Sequence, residues 1–88
     1  MKATAVKLAL HELFERVKCR KVEVVTANSI TTIFSTNHHH VNEPAGLLIV
    51  QHEFDTLYIA TESIEFIRCA TKDCQHKLEE LINYPRKG

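Results

Sequence analysis

Between Val6 and Val17 the apolar residues recur at helical spacing, and from Lys21 to Cys69 the pattern changes to short runs of period two. That change constrains the fold more than any other feature of the chain. A 3.6-residue period gathers apolar side chains into one stripe of a helix, whereas a period of two sends alternate residues to opposite faces of a strand. Val6, Leu10, Leu13, Phe14 and Val17 share one such stripe, which predicts an amphipathic helix over 4–18. Thr4 is suited to its N-cap, and Lys18, Arg20 and Lys21 sit where the C-terminal end of the dipole favours cations.

In the next segment Val22, Val24 and Thr26 alternate with Glu23, Val25 and Ala27, and Asn28-Ser29 supplies a turn. A hairpin follows from this, with strands over about 21–28 and 30–37. Asn37 to Ala45 is polar and carries His38, His39, His40 and Pro44, so it reads as a loop into which the second strand can run. Further strands are expected over 47–51, 56–60 and 63–69, joined by the polar turn His52–Asp55 and the tight connection Thr61-Glu62. Beyond them Thr71 suits an N-cap, Cys74, Leu78, Leu81 and Ile82 share a stripe, and Pro85 stops the pattern, which predicts a second helix over 72–83.

Several strands are apolar on both faces. A chain of 88 residues has room for one domain with a thin core. One strand face is therefore expected to pack on a helix or close as a barrel, and the other to meet a second subunit. The expected class is α+β: an N-terminal helix, five short antiparallel strands forming a small barrel, and a C-terminal helix.

That order resembles the Sm-like fold, and in particular its bacterial RNA-chaperone branch, Hfq. The segment Val22-Glu-Val-Val-Thr-Ala-Asn28-Ser-Ile30 looks like the first strand, turn and second-strand start of that family. Leu47-Leu-Ile-Val50, Thr56-Leu-Tyr-Ile59 and Ser63-Ile-Glu-Phe-Ile67 look like its last three strands. Ser29 stands where the family usually has glycine. Ile59-Ala60 follows Tyr58 where the bacterial branch has Lys-His, and Thr61-Glu62 replaces the Arg-Gly turn of the other branches. The resemblance, which is one of architecture, implies a homo-oligomer assembled by strand pairing and an RNA or nucleotide ligand.

Charge limits the ways such a ligand could be held. Lys plus Arg equals Asp plus Glu at 11 each, so the chain lacks the basic excess usual in proteins that grip duplex phosphates. The one basic cluster, Arg16, Lys18, Arg20 and Lys21, is the candidate phosphate contact, against the alternative of a solvated helix end. Asn28, Asn37, His38, His40, Tyr58 and Thr61 are the candidate ligand-binding residues, able to hydrogen-bond or stack on unpaired bases.

The remaining signals point away from catalysis. Only Gly46 and Gly88 are glycines, so there is no phosphate-cradling loop, and no Ser or Cys lies in a nucleophile motif. No enzyme activity, cofactor or metal is expected. His38 and His40 would point the same way on an extended segment, but two nitrogens do not complete a zinc site. Cys69, Cys74 and His76 likewise match no usual zinc spacing. Three cysteines without a paired framework read as free thiols in a reducing compartment. With no apolar run near the ~20 residues a membrane helix needs, and Lys2, Lys7 and His11 interrupting the first segment, a cytoplasmic location without membrane contact is expected. Two other readings fit the same residues: a small phage or mobile-element protein that binds and inhibits or adapts a host protein, and a histidine-dependent metal binder.

Overall fold

The computed structural model describes residues 1–70. It opens with helix α1 (Ala3–His11), which continues into a π-helical turn, Glu12–Arg16. Its first residue follows Lys2 in extended conformation, with no side-chain cap, so Thr4 lies inside the helix rather than at its N-cap. The other end closes with Val17 N–H donating to Glu12 O at 2.9 Å and Cys19 N–H donating to Leu13 O at 2.9 Å. Lys18, at φ 64°, then turns the chain sharply and delivers Cys19 to the core.

Six strands follow: β1 (Lys21–Thr26), β2 (Ile30–Phe34), β3 (His38–Asn42), β4 (Leu47–Gln51), β5 (Thr56–Ala60) and β6 (Ile64–Cys69). They form two antiparallel sheets of three, in the orders β2-β1-β6 and β3-β4-β5. A 3-10 turn, Thr61–Ser63, carries the chain from the second sheet back to the first. This corrects the expected five-stranded Sm-like or SH3-like barrel: the described residues hold six strands in two separate sheets and no closed barrel. The predicted helix over 72–83 lies outside the described residues.

The error has a local cause at Asn37. The Phe34 N–H donates to the Asn37 side-chain oxygen at 2.9 Å, and the Asn37 N–H donates to Phe34 O at 2.9 Å. Both polar groups of Phe34 are thereby turned inward on a tight bend, which ends β2 three residues before the predicted strand end at 37. The chain resumes as β3 in the other sheet, so the histidine segment expected to be a loop is itself a strand.

The alternation in β1 and β4 explains the core. Val22 and Val24 of β1, Ile33 of β2, Leu48 and Val50 of β4 and Ile64 of β6 turn inward against Val6 and Leu10 of α1. Each is at most 2% exposed, and burying an aliphatic side chain of this size contributes about 1.5–3 kcal/mol. The helix packs on β3, β4 and β6, so it contacts both sheets. On the other face of the first sheet, Glu23 and Arg68 form an ion pair across the β1–β6 register.

The β1–β6 pairing also sets Cys69 beside Val22, and Cys19 and Cys69 are joined as a disulfide with their Cα atoms 6.0 Å apart. The free-thiol reading is corrected for these two residues. They are 50 positions apart, and only the return of β6 to β1 brings them together. Cys74 lies outside the described residues.

Candidate functional site

The outward face of the second sheet gathers three of the candidate ligand residues. Strand β3 pairs with β4 so that His40 faces Ile49, and β4 pairs with β5 so that Ile49 faces Tyr58. The result is a row, His40–Ile49–Tyr58, running across all three strands. A second row, His38–Gln51–Thr56, lies beside it, and a third is Asn42–Leu47–Ala60. The opposite face carries His39, Val50 and Leu57, then Val41, Leu48 and Ile59, which pack toward the core.

Exposure follows this alternation. His38, His40 and Asn42 are exposed while His39 and Val41 are half-buried, and Tyr58 is 65% exposed between half-buried Leu57 and Ile59. Neighbouring strands lie about 4.8 Å apart, so His40 and Tyr58 rise roughly 10 Å from one another on either side of the lower Ile49. A planar ring can rest on Ile49 with an imidazole and a phenol at its borders, and Gln51 and Thr56 can hydrogen-bond to its edge. None of the nine residues on this face is Lys or Arg.

His39 is the inward member of the histidine run. Its ring lies 5.0 Å from that of Phe14, and its Nδ1 is shut from solvent with no hydrogen-bond partner among the described residues. Burial holds its pKa below the usual 6.5, against an opposing effect of the Asn37 backbone, and the neighbouring His38 and His40 lower it further. The three adjacent histidines thus divide into two that face outward and one that packs inward.

The other candidates are placed elsewhere. Asn28 is exposed at the β1–β2 turn of the first sheet. Asn37 is half-buried with its side chain engaged at Phe34. Thr61, expected on an exposed turn, is only 2% exposed, and its hydroxyl donates to Gly46 O at 3.3 Å. Of the basic cluster, Arg16 is ion-paired with Glu12 at 2.9 Å, Lys18 occupies the left-handed bend and Lys21 lies 5.6 Å from the Phe34 ring centroid. Arg16, Lys18, Arg20 and Lys21 all precede β1 or open it, on elements outside the second sheet. Ile49, Gln51 and Thr56 were missed by the sequence reading, because nothing in a single strand states which residue lies across from it.

The sheet edges differ in a way that bears on assembly. His52 N–H donates to Asp55 O at 2.8 Å and Thr61 N–H donates to Gly46 O at 2.9 Å, which fixes Leu57 and Ile59 as the β5 residues bonded to β4. The main-chain groups of Thr56 and Tyr58 therefore point away from the sheet. Ala70 N–H donates to Lys21 O at 2.9 Å, and by the same alternation the main chain of Ile67 in β6 points away from β1. The edge of β2 is instead closed: Asn37 occupies Phe34, and His52 Nε2 lies 3.1 Å from Thr32 O.

One open groove, of about 810 Å³, is bordered by Lys2, Glu43, Gly46 and Glu62 and reaches Leu47 and Ala60 at the end of the histidine face. Another, of about 510 Å³, is bordered by Ile30, Phe34, His52 and Leu57. In the second, His52 meets the Thr32 carbonyl rather than its hydroxyl, so it is not set to activate that group. Among the described residues no three His, Cys, Asp or Glu side chains converge as a metal site. No helix among them is long and apolar enough to cross a membrane.

Comparisons with protein families, curated proteins and solved structures find no match.

Proposed function

We propose that this chain is a non-enzymatic binding protein that self-associates through its strand edges and takes single-stranded RNA or a nucleotide on the outer face of its second sheet. The observation that carries the reading is the row His40–Ile49–Tyr58, an apolar floor between two ring side chains with the amide of Gln51 in the next row. Recognition of unpaired bases needs flat surfaces for stacking and neutral donors and acceptors at the edges. Among the described residues no strand pairs with the outer edge of β5, which supports association of copies, since unpaired main-chain groups on an edge strand favour added pairing.

The test is titration of short single-stranded RNA and of mononucleotides, followed by anisotropy and by amide NMR shifts. Base stacking contributes about 1–3 kcal/mol per base, so Tyr58→Ala is expected to weaken binding by roughly five- to 150-fold. The exposure of Tyr58 leaves the fold of that variant intact. Unchanged affinity in Tyr58→Ala and His40→Ala, or absence of binding by the native protein, rejects the site.

A protein partner is the second reading, and one residue favours it. Phe54 is 91% exposed at the β4–β5 turn, flanked by Glu53 and Asp55, a form suited to an apolar pocket with a basic rim. Loss of a stoichiometric protein partner in Phe54→Ala, with RNA binding absent, would support it. In the cytoplasm expected from the sequence, a disulfide such as Cys19–Cys69 is a transient bond rather than a permanent one.

A further inference from the structure

The outer face of the second sheet offers rings, an amide and a hydroxyl to a ligand, and the charge around it is laid out unfavourably for a phosphate. The row His38–Gln51–Thr56 adjoins the β4–β5 turn, where Glu53 and Asp55 are exposed and form no ion pair with a described residue. At the opposite end, beyond the row Asn42–Leu47–Ala60, the cations lie among carboxylates and carbonyls. Lys7 is 3.6 Å from Glu43, the Met1 ammonium donates to Thr61 O and Ile64 O at 2.9 and 2.8 Å, and Lys2 shares its groove with Glu43 and Glu62. Arg16, Lys18, Arg20 and Lys21 precede β1 or open it, on elements outside this sheet. A phosphate brought to the Gln51 end therefore meets two carboxylates. An uncharged heterocycle meets Ile49 below it, the His40 and Tyr58 rings at its borders and the Gln51 amide, with one acceptor and two donors, at its edge.

We propose that the group recognised on this face is the uncharged nucleobase alone, with the phosphates directed away from the protein, so that phosphate adds no affinity. The inference rests on the ligand reading above and deepens it by fixing which part of the ligand is held. Binders of single strands commonly combine stacking with a basic groove that tracks the backbone, and their affinity then falls steeply with salt. Among the described residues this face has the stacking surface and no such groove, so affinity follows the base and is nearly independent of salt.

The experiment uses the full chain. Calorimetry compares a short mixed-sequence RNA with the same sequence on an uncharged methylphosphonate backbone, and each ribonucleoside with its 5′-monophosphate, at about 50 and about 200 mM salt. Over this range each phosphate contact on a single strand would lower affinity about 2.6-fold. The proposal expects the uncharged strand to bind at least as tightly as the RNA, each nucleoside at least as tightly as its monophosphate, and RNA affinity to fall less than about twofold with salt. Glu53→Gln with Asp55→Asn, both exposed, should tighten RNA by about twofold at the lower salt and leave the uncharged strand unchanged. A free nucleoside and an unpaired base within a strand both support the proposal, and the two sets of ligands tell these sources apart. RNA bound more than about twofold tighter than the uncharged strand, or a larger fall with salt, overturns the proposal and leaves RNA binding standing. Binding of none of these ligands removes the reading of the face and the inference with it.

Discussion

Reducing the Cys19–Cys69 bond removes a cross-link between residues 50 positions apart, more than half the length of the chain. In the chain-entropy description a cross-link stabilises chiefly by restricting the unfolded ensemble, and the effect grows with the logarithm of the loop. For a loop of about 50 residues it amounts to roughly 4 kcal/mol at 25 °C. A domain of 60–100 residues shifts its midpoint by about 4–8 °C for each kcal/mol, so the reduced protein is expected to melt roughly 15–30 °C lower. The native contacts change little, since Cys19 in the thiol form remains a small apolar side chain in the core. Differential scanning calorimetry of oxidised and reduced protein, at concentrations low enough to keep both monomeric, gives the two midpoints. Cys19→Ala with Cys69→Ala should melt close to the reduced form. A difference below about 3 °C would refute the reasoning, because the chain-entropy effect of a loop of this length corresponds to a shift several times larger.

Three further outcomes follow from the packing. Leu48→Ala, in a fully buried strand position, is expected to cost about 3–5 kcal/mol, whereas Leu8→Ala, at a site 63% exposed, should cost less than about 0.5 kcal/mol, as urea denaturation can read. Gly46→Ala places a Cβ at ordinary contact distance from Thr61, so its cost comes from φ +65° and should be about 1–2 kcal/mol by the same assay. For His39, whose folded pKa is lowered, the unfolded chain binds the proton more readily. Its contribution is therefore fully present above the unfolded pKa near 6.5 and is lost as pH falls from there toward the folded value. Denaturation series from pH 7.5 to 5.0 should show a slope below the one-proton limit of about 1.4 kcal/mol per pH unit, since the ring is only half-buried, and His39→Phe should remove that component.

The parts of this fold that are legible in the sequence are those decided within one element. The stripe from Val6 to Val17 marks the helix, and the alternation in Val22–Thr26 and the short runs Leu47–Gln51 and Thr56–Ala60 mark strands, because these signals lie within one stretch of chain. The two main errors come from groups that act between elements or against the pattern. Asn37 halts β2 by binding both polar groups of Phe34, a use of a side chain that hydropathy does not register. Cys19 and Cys69 read as unrelated because their proximity depends on β6 returning to β1 across most of the described chain.

The candidate site shows the same division. His38, His40 and Tyr58 could be singled out by residue type, but a row exists only once β4 is inserted between β3 and β5 in a definite register. A slip of one residue in that register would bring His39 into the row and send His40 toward the core. The register is held by the core side of the same strands: Leu48 and Val50 are fully buried, and turning them outward would forfeit about 1.5–3 kcal/mol each. The inward histidine agrees with the choice: a one-residue slip would turn both His38 and His40 toward the core, where His39 alone is now desolvated against Phe14. The exposed row is therefore set by the buried one. Substitutions at Leu48 or Val50 that loosen the core should disturb the proposed binding of RNA or nucleotide at His40 and Tyr58 without touching either residue.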